Sequence, residues 1–144
     1  MESGAQSTYG LSVQLLRELS LGKEFKDHID EIYHDINGAD LIVCHNSNFN
    51  IGFINSEFNR VDNELTYKDK FCTMEYYTDI LKIENFYSYK WPRLEEIIDY
   101  LNITDETIKK SANRLFYGEG NEIGYHDSIY DVAATSEIYI KMIE

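Results

Sequence analysis

The amino-acid sequence predicts an α/β fold in which short parallel strands are covered by helices, and three observations carry that prediction. Leu41-Ile42-Val43-Cys44 is an unbroken apolar run, the pattern of a strand covered on both faces. A second short run, residues 70–74, is centred on Phe71 and Cys72. Around these runs the apolar residues recur with helical spacing rather than in alternation. Helices and short buried strands that alternate along a chain favour a parallel strand pair.

Taken in order, the elements begin with a polar stretch up to Gly10, read as a loop. Leu11, Leu15, Leu16 and Leu19 then mark a short amphipathic helix that ends at Gly22. Phe25, Ile29, Ile32, Tyr33 and Ile36 trace one face of the clearest helix. Asn37-Gly38 is expected to stop it, with Gly38 in the left-handed cap conformation. The first strand follows, and then a helix over residues 48–60. After the second strand, residues 80–90 read as irregular. Pro92 is placed at the first position of a helix carrying Leu94, Ile97, Ile98 and Leu101. Residues 104–116 form a further helix, and residues 117–124, with three glycines, form a loop. The last helix, over residues 127–143, is expected to bury Ile129, Val132, Ala133, Ser136, Ile140 and Ile143. Two short strands are too few to support so many helices as a stable sheet, so the pattern reads as an incomplete one.

At 144 residues the chain fits one domain spanning positions 1–144. Its 43% apolar content, with twelve Tyr and seven Phe, is enough for a real core and excludes wholesale disorder. No apolar run is long enough to cross a bilayer, so no membrane partner is expected. Met1-Glu2-Ser3-Gly4-Ala5 has neither the basic nor the apolar region of a secretory signal. Cys44 and Cys72 read as reduced thiols, and the expected location is cytoplasmic. The net charge of −13 excludes a protein that grips nucleic acid chiefly through its phosphates. Any such binding has to be local, through a few basic residues, backbone amides or bound cations.

Two clusters carry candidate chemistry. His45-Asn46-Ser47-Asn48-Phe49-Asn50 follows the first strand directly and opens a helix. The C-terminal ends of parallel strands are where ligands bind, beside helix N-terminal amides. The same residues also suit a plain helix cap. The second cluster, His126-Asp127-Ser128-Ile129-Tyr130-Asp131, lies where the glycine-rich loop enters the last helix. A histidine beside a carboxylate-held metal can take a proton from a metal-bound water. A helix cap at Asp127 with a surface His126 accounts for it equally.

Together and in this order the clusters resemble something specific. Gly38-Ala39-Asp40-Leu41-Ile42-Val43-Cys44-His45-Asn46-Ser47-Asn48-Phe49-Asn50 resembles the second exonuclease motif of the DnaQ-like (DEDDh) 3′–5′ exonuclease family. His126-Asp127-Ser128-Ile129-Tyr130-Asp131-Val132-Ala133-Ala134-Thr135 resembles the third. Cys72-Thr73-Met74, Trp91-Pro92-Arg93-Leu94 and Tyr9-Gly10-Leu11-Ser12 are similar to further segments of that family. The resemblance implies a ribonuclease H-like fold and two-metal phosphodiester hydrolysis at a DNA or RNA 3′ end, with Mg²⁺ or Mn²⁺ as cofactor. It implies His126 as general base, Asp131 as metal ligand, and His45, Asn46 and Phe49 as nucleic-acid contacts.

Two departures from the family pattern stand beside these matches. The first motif, Asp-x-Glu on the first strand, has no counterpart ahead of Tyr9-Gly10, and Asn50 occupies the position of the second-motif Asp. An amide contributes no negative charge to a hard cation. One remaining carboxylate, Asp131, cannot hold two divalent ions about 4 Å apart. The expectation is therefore an incomplete ribonuclease H-like domain, without its N-terminal strands, weak in metal binding and inactive as an isolated chain. The alternative is a catalytically degenerate module kept for nucleic-acid binding or assembly. Either way the strand Leu41-Ile42-Val43-Cys44 is left with an open edge, a template for a partner chain or for self-association.

Overall fold

A computed structural model describes residues 12–116 and 128–144. The first apolar run forms β1 (Ile42–Cys44) and the second forms β2 (Lys70–Cys72). They pair in parallel, with Ile42 opposite Lys70, Val43 opposite Phe71 and Cys44 opposite Cys72. The described residues thus form a mixed α/β structure with one two-stranded sheet. Parallel pairing requires a crossover, and helix α3 (Ser47–Arg60) lies within it.

The second strand is shorter than the sequence predicts. Thr73 and Met74 leave it and open a helix, α4 (Thr73–Leu81), that the sequence reading did not anticipate. The cause is tertiary: fully buried Thr73 turns its hydroxyl to the Cys44 carbonyl at 3.3 Å. Met74 and Tyr77 then face inward one helical turn apart.

Upstream, Ser12 caps α1 (Val13–Leu19) by accepting a hydrogen bond from the Leu15 amide. This helix buries none of its residues, and Leu19 is 67% exposed. Where one helix is predicted from Phe25, the chain forms a 3₁₀ turn, Phe25–His28, followed by α2 (Ile29–Gly38). The rings of Phe25 and Tyr33 pack on the fully buried Phe58 of α3, with centroids 5.7 and 6.3 Å away. Gly38 is not the left-handed cap that was expected. It stays helical, and Ala39 leads into β1 in extended conformation (φ −71°, ψ 140°). Left-handed glycine occurs instead at Gly22 (φ +75°), just after α1.

The main core lies among α4, α5 (Leu94–Tyr100), α6 (Asp105–Phe116) and α7 (Ser128–Ile143). Helix α7 is central, packing on α4, α5, α6 and β1. Pro92 is not the first helical residue: Arg93 is the N-cap, its amide donating to Glu96 Oε2 at 2.8 Å, and Pro92 precedes it fully buried. The buried face of α7 also differs from the expected one. Tyr130, Ala133, Ala134 and Ile138 are buried, while Val132 and Ile143 are 53% and 62% exposed. Small Ala133 and Ala134 admit neighbouring helices closely. Tyr130 can be buried because its hydroxyl donates to Asp105 Oδ1 at 2.9 Å, which satisfies its polar tip. No described helix is long and apolar enough to cross a membrane. The expected glycine-rich loop over residues 117–124 lies outside the described residues.

Candidate functional site

The site begins where β1 ends. Cys44 is the last strand residue, and Asn46 takes a left-handed conformation (φ 68°, ψ 65°) that turns the chain sharply into α3. Asparagine tolerates this region better than most residues with a Cβ. Asn46 holds the N-cap position, yet its side chain makes no hydrogen bond to the helix. Its contribution there is the backbone turn, which fixes His45 at the strand end.

His45 is half-buried, its Nδ1 3.0 Å from Thr73 Oγ1. Burial pushes the imidazole pKa down, and the Pro92 backbone carbonyl and the charge of Glu95 act in the other direction. The net shift is downward, so the ring is neutral near pH 7.

Asn50 lies one helical turn into α3. Its Nδ2 donates to the His45 carbonyl at 2.9 Å, closing the turn from the other side. That bond fixes the amide orientation, because the flipped form would set oxygen against oxygen.

These residues meet Asp131 across a groove of about 790 Å³ beside β1. Val43, Cys44 and His45 form its floor, Phe49, Asn50, Phe53 and Ile54 one wall, and Asp131, Val132, Thr135 and Tyr139 of α7 the other. The rings of Phe49 and Phe53 are 67% and 61% exposed. The structure therefore brings His45, Phe49, Asn50 and Asp131 together on one groove. Asn46 is adjacent in sequence but is not part of its lining. His126 lies outside the described residues.

Sequence reasoning passed over two residues here. Thr73 joins β1, His45 and α4 through one hydroxyl. Cys72, opposite Cys44 in the sheet, accepts from the Ser47 amide at 3.4 Å. Burial works against its thiolate, but amides of Ser47, Glu75 and Asn46 at the starts of α3 and α4, with the Ser47 side chain, outweigh it and the thiol pKa falls. Cys44 lacks that ring of amides, and burial pushes its thiol up. The signal for Cys72 was its place immediately before a helix start.

The donors among the described residues do not by themselves fit a pair of divalent ions. Among the described residues no group of three or more His, Cys, Asp or Glu could hold a metal. Among the described residues Asp131 is the one carboxylate lining the groove, the walls they form are largely apolar, and the Asn50 amide is committed to a carbonyl.

Fold and groove together define an α/β protein with polar groups gathered at the C-terminal end of a parallel strand. No family model matches the chain. It is similar to DNA polymerase III subunit epsilon of Buchnera aphidicola subsp. Schizaphis graminum (strain Sg), 31% identical over 83 residues. That match covers 58% of this chain and 33% of the relative, so the chain matches about a third of the relative's length. No solved structure matches.

Proposed function

We propose that this chain is part of a DnaQ-like 3′–5′ exonuclease domain of ribonuclease H-like fold, acting on a DNA or RNA 3′ end when complete and inactive by itself. The observation that carries this reading is the convergence of His45, Phe49, Asn50 and Asp131 on one groove from three separate elements. The similarity to a subunit of a DNA polymerase supports it and favours DNA. In this reading Asp131 is a metal ligand, His126 the general base, and His45, Asn46 and Phe49 the contacts to the terminal nucleotide. The edge of β1 that no described strand occupies receives a further strand, supplied by another segment of polypeptide, and the Asp-x-Glu pair belongs on that strand.

The second reading, a degenerate module that holds a nucleic-acid end without cleaving it, is favoured by one observation. Asn50 is built into the turn as a hydrogen-bond donor, which a carboxylate cannot be.

The test is degradation of a 5′-labelled oligonucleotide with Mg²⁺ or Mn²⁺ present. The chain alone is expected to leave it intact. The Asn50→Asp chain joined to a strand segment bearing Asp-x-Glu is expected to shorten it from the 3′ end, and Asp131→Asn to abolish that. Digestion by the unaltered chain alone, lost in His126→Ala, would overturn the inactive reading. A reconstituted protein that neither binds nor cuts a 3′ end would overturn the exonuclease reading.

A further inference from the structure

Residues 80–90 are expected from sequence to be irregular, but Ile80 and Leu81 complete α4, and a hairpin follows within residues 82–93, Lys-Ile-Glu-Asn-Phe-Tyr-Ser-Tyr-Lys-Trp-Pro-Arg. Glu84 and Tyr89 make an antiparallel bridge, the Lys90 amide donates to the Ile83 carbonyl at 2.8 Å, and the Asn85 amide to the Ser88 carbonyl at 2.8 Å. Asn85 Oδ1 accepts from the amides of Tyr87 and Ser88 at 3.2 and 3.0 Å, fixing the tip. Phe86 and Tyr87 stand on that tip 99% and 100% exposed, and Trp91 at the base is 62% exposed. Leaving two aromatic rings wholly in water on a fixed turn contributes nothing to folding.

We propose that this hairpin is a stacking platform for the bases of single-stranded nucleic acid, leading toward the groove. The proposal rests on the nucleic-acid reading above and adds to it a binding site outside the groove. Three observations support this occupant. Between residues 84 and 91 every apolar side chain is aromatic, interleaved with amide, hydroxyl and charged groups, the composition of a base-stacking surface. The local charge suits a polyanion. Residues 82–93 hold Lys82, Lys90 and Arg93 against Glu84 alone, in a chain with 26 acidic and 13 basic residues. Glu96 offsets part of this by pairing with Lys90 at 2.6 Å and Arg93 at 3.5 Å, so stacking supplies most of the affinity and phosphate contacts little. Finally, the hairpin is continuous with the site, since Pro92 lies against His45 and Leu94 lines the groove.

The experiment titrates the full chain, in EDTA, with fluorescently labelled oligo-dT of about 12 nucleotides. Anisotropy reports binding, and the fluorescence of Trp91, the sole tryptophan, reports contact at the hairpin. The unaltered chain is expected to bind with Trp91 quenched. Phe86→Ala with Tyr87→Ala is expected to weaken binding about tenfold or more, with the circular dichroism spectrum unchanged because both rings are in solvent. Phe49→Ala in the groove is expected to weaken this binding by less than the double variant does. Binding that survives the double variant but is lost in Phe49→Ala overturns the platform and leaves the exonuclease reading standing. Loss in the double variant, with a reconstituted protein that never engages a 3′ end, keeps the platform and overturns that reading instead. Absence of binding by the unaltered chain overturns the platform. Self-association abolished by the double variant would then assign the tip to protein docking.

Discussion

Asn50 points a donor at the His45 carbonyl, and a carboxylate there would set two acceptors 2.9 Å apart. Asn50→Asp is therefore expected to destabilise the chain at pH 7 by about 1–3 kcal/mol, read from urea unfolding midpoints. The loss should shrink in acid, where a protonated Asp regains a donor. An equal midpoint at pH 7 would show that the bond contributes nothing. His45 yields a pH dependence. Its folded pKa is held below the ordinary histidine value, with burial the largest cause. Below about pH 6.5 the unfolded chain takes up a proton that the folded chain accepts only at lower pH. Stability is then fully present above about pH 6.5 and declines as pH falls through the folded value. Thermal melts from neutral to mildly acidic pH should show this decline, and His45→Gln should flatten the part due to the ring.

Among the elements, α7 offers the sharpest test, because the sequence and the structure assign it different inward faces. Ile138 is fully buried, so Ile138→Ala should cost about 2–5 kcal/mol through lost contacts and a residual cavity. Val132, expected from sequence to be buried, lines the groove and is 53% exposed. Val132→Ala should change stability by no more than about 0.5 kcal/mol. Equal losses from the two substitutions would mean that Val132 is covered in solution. The helix is two-sided: one face joins α5 and α6, and the other forms the groove wall beside β1.

At the scale of the whole molecule, the sheet stands out as small for the helices around it. Among the described residues β1 pairs along one edge only, while its own residues are half-buried. Each buried backbone group without a partner costs about 1–3 kcal/mol, against about 5–15 kcal/mol for the stability of a typical domain. The groove rings of Phe49 and Phe53 and the leucines of α1 add exposed apolar surface. The chain alone is expected to self-associate in light scattering and to exchange the amides of Ile42–Cys44 quickly. An added strand peptide should slow that exchange and favour a single species. A cooperatively folding monomer with those amides protected would mean that residues of this chain close the edge themselves.

From the sequence alone the parallel strand pair, the crossover helix α3 and the polar cluster at the end of β1 were legible. Each rests on a local signal: an unbroken apolar run, a helical period, or polar residues directly after a strand. The convergence of Phe49 and Asp131 on one groove could be expected only through the family resemblance, since no local pattern joins residues so far apart. Helix α4 and the inward face of α7 were decided by tertiary structure. Thr73 ends β2 because Cys44 and His45 stand beside it, and Tyr130 turns inward because Asp105 meets its hydroxyl. A polar group can be buried only where a distant part of the chain satisfies it, and sequence spacing carries no record of that distant partner.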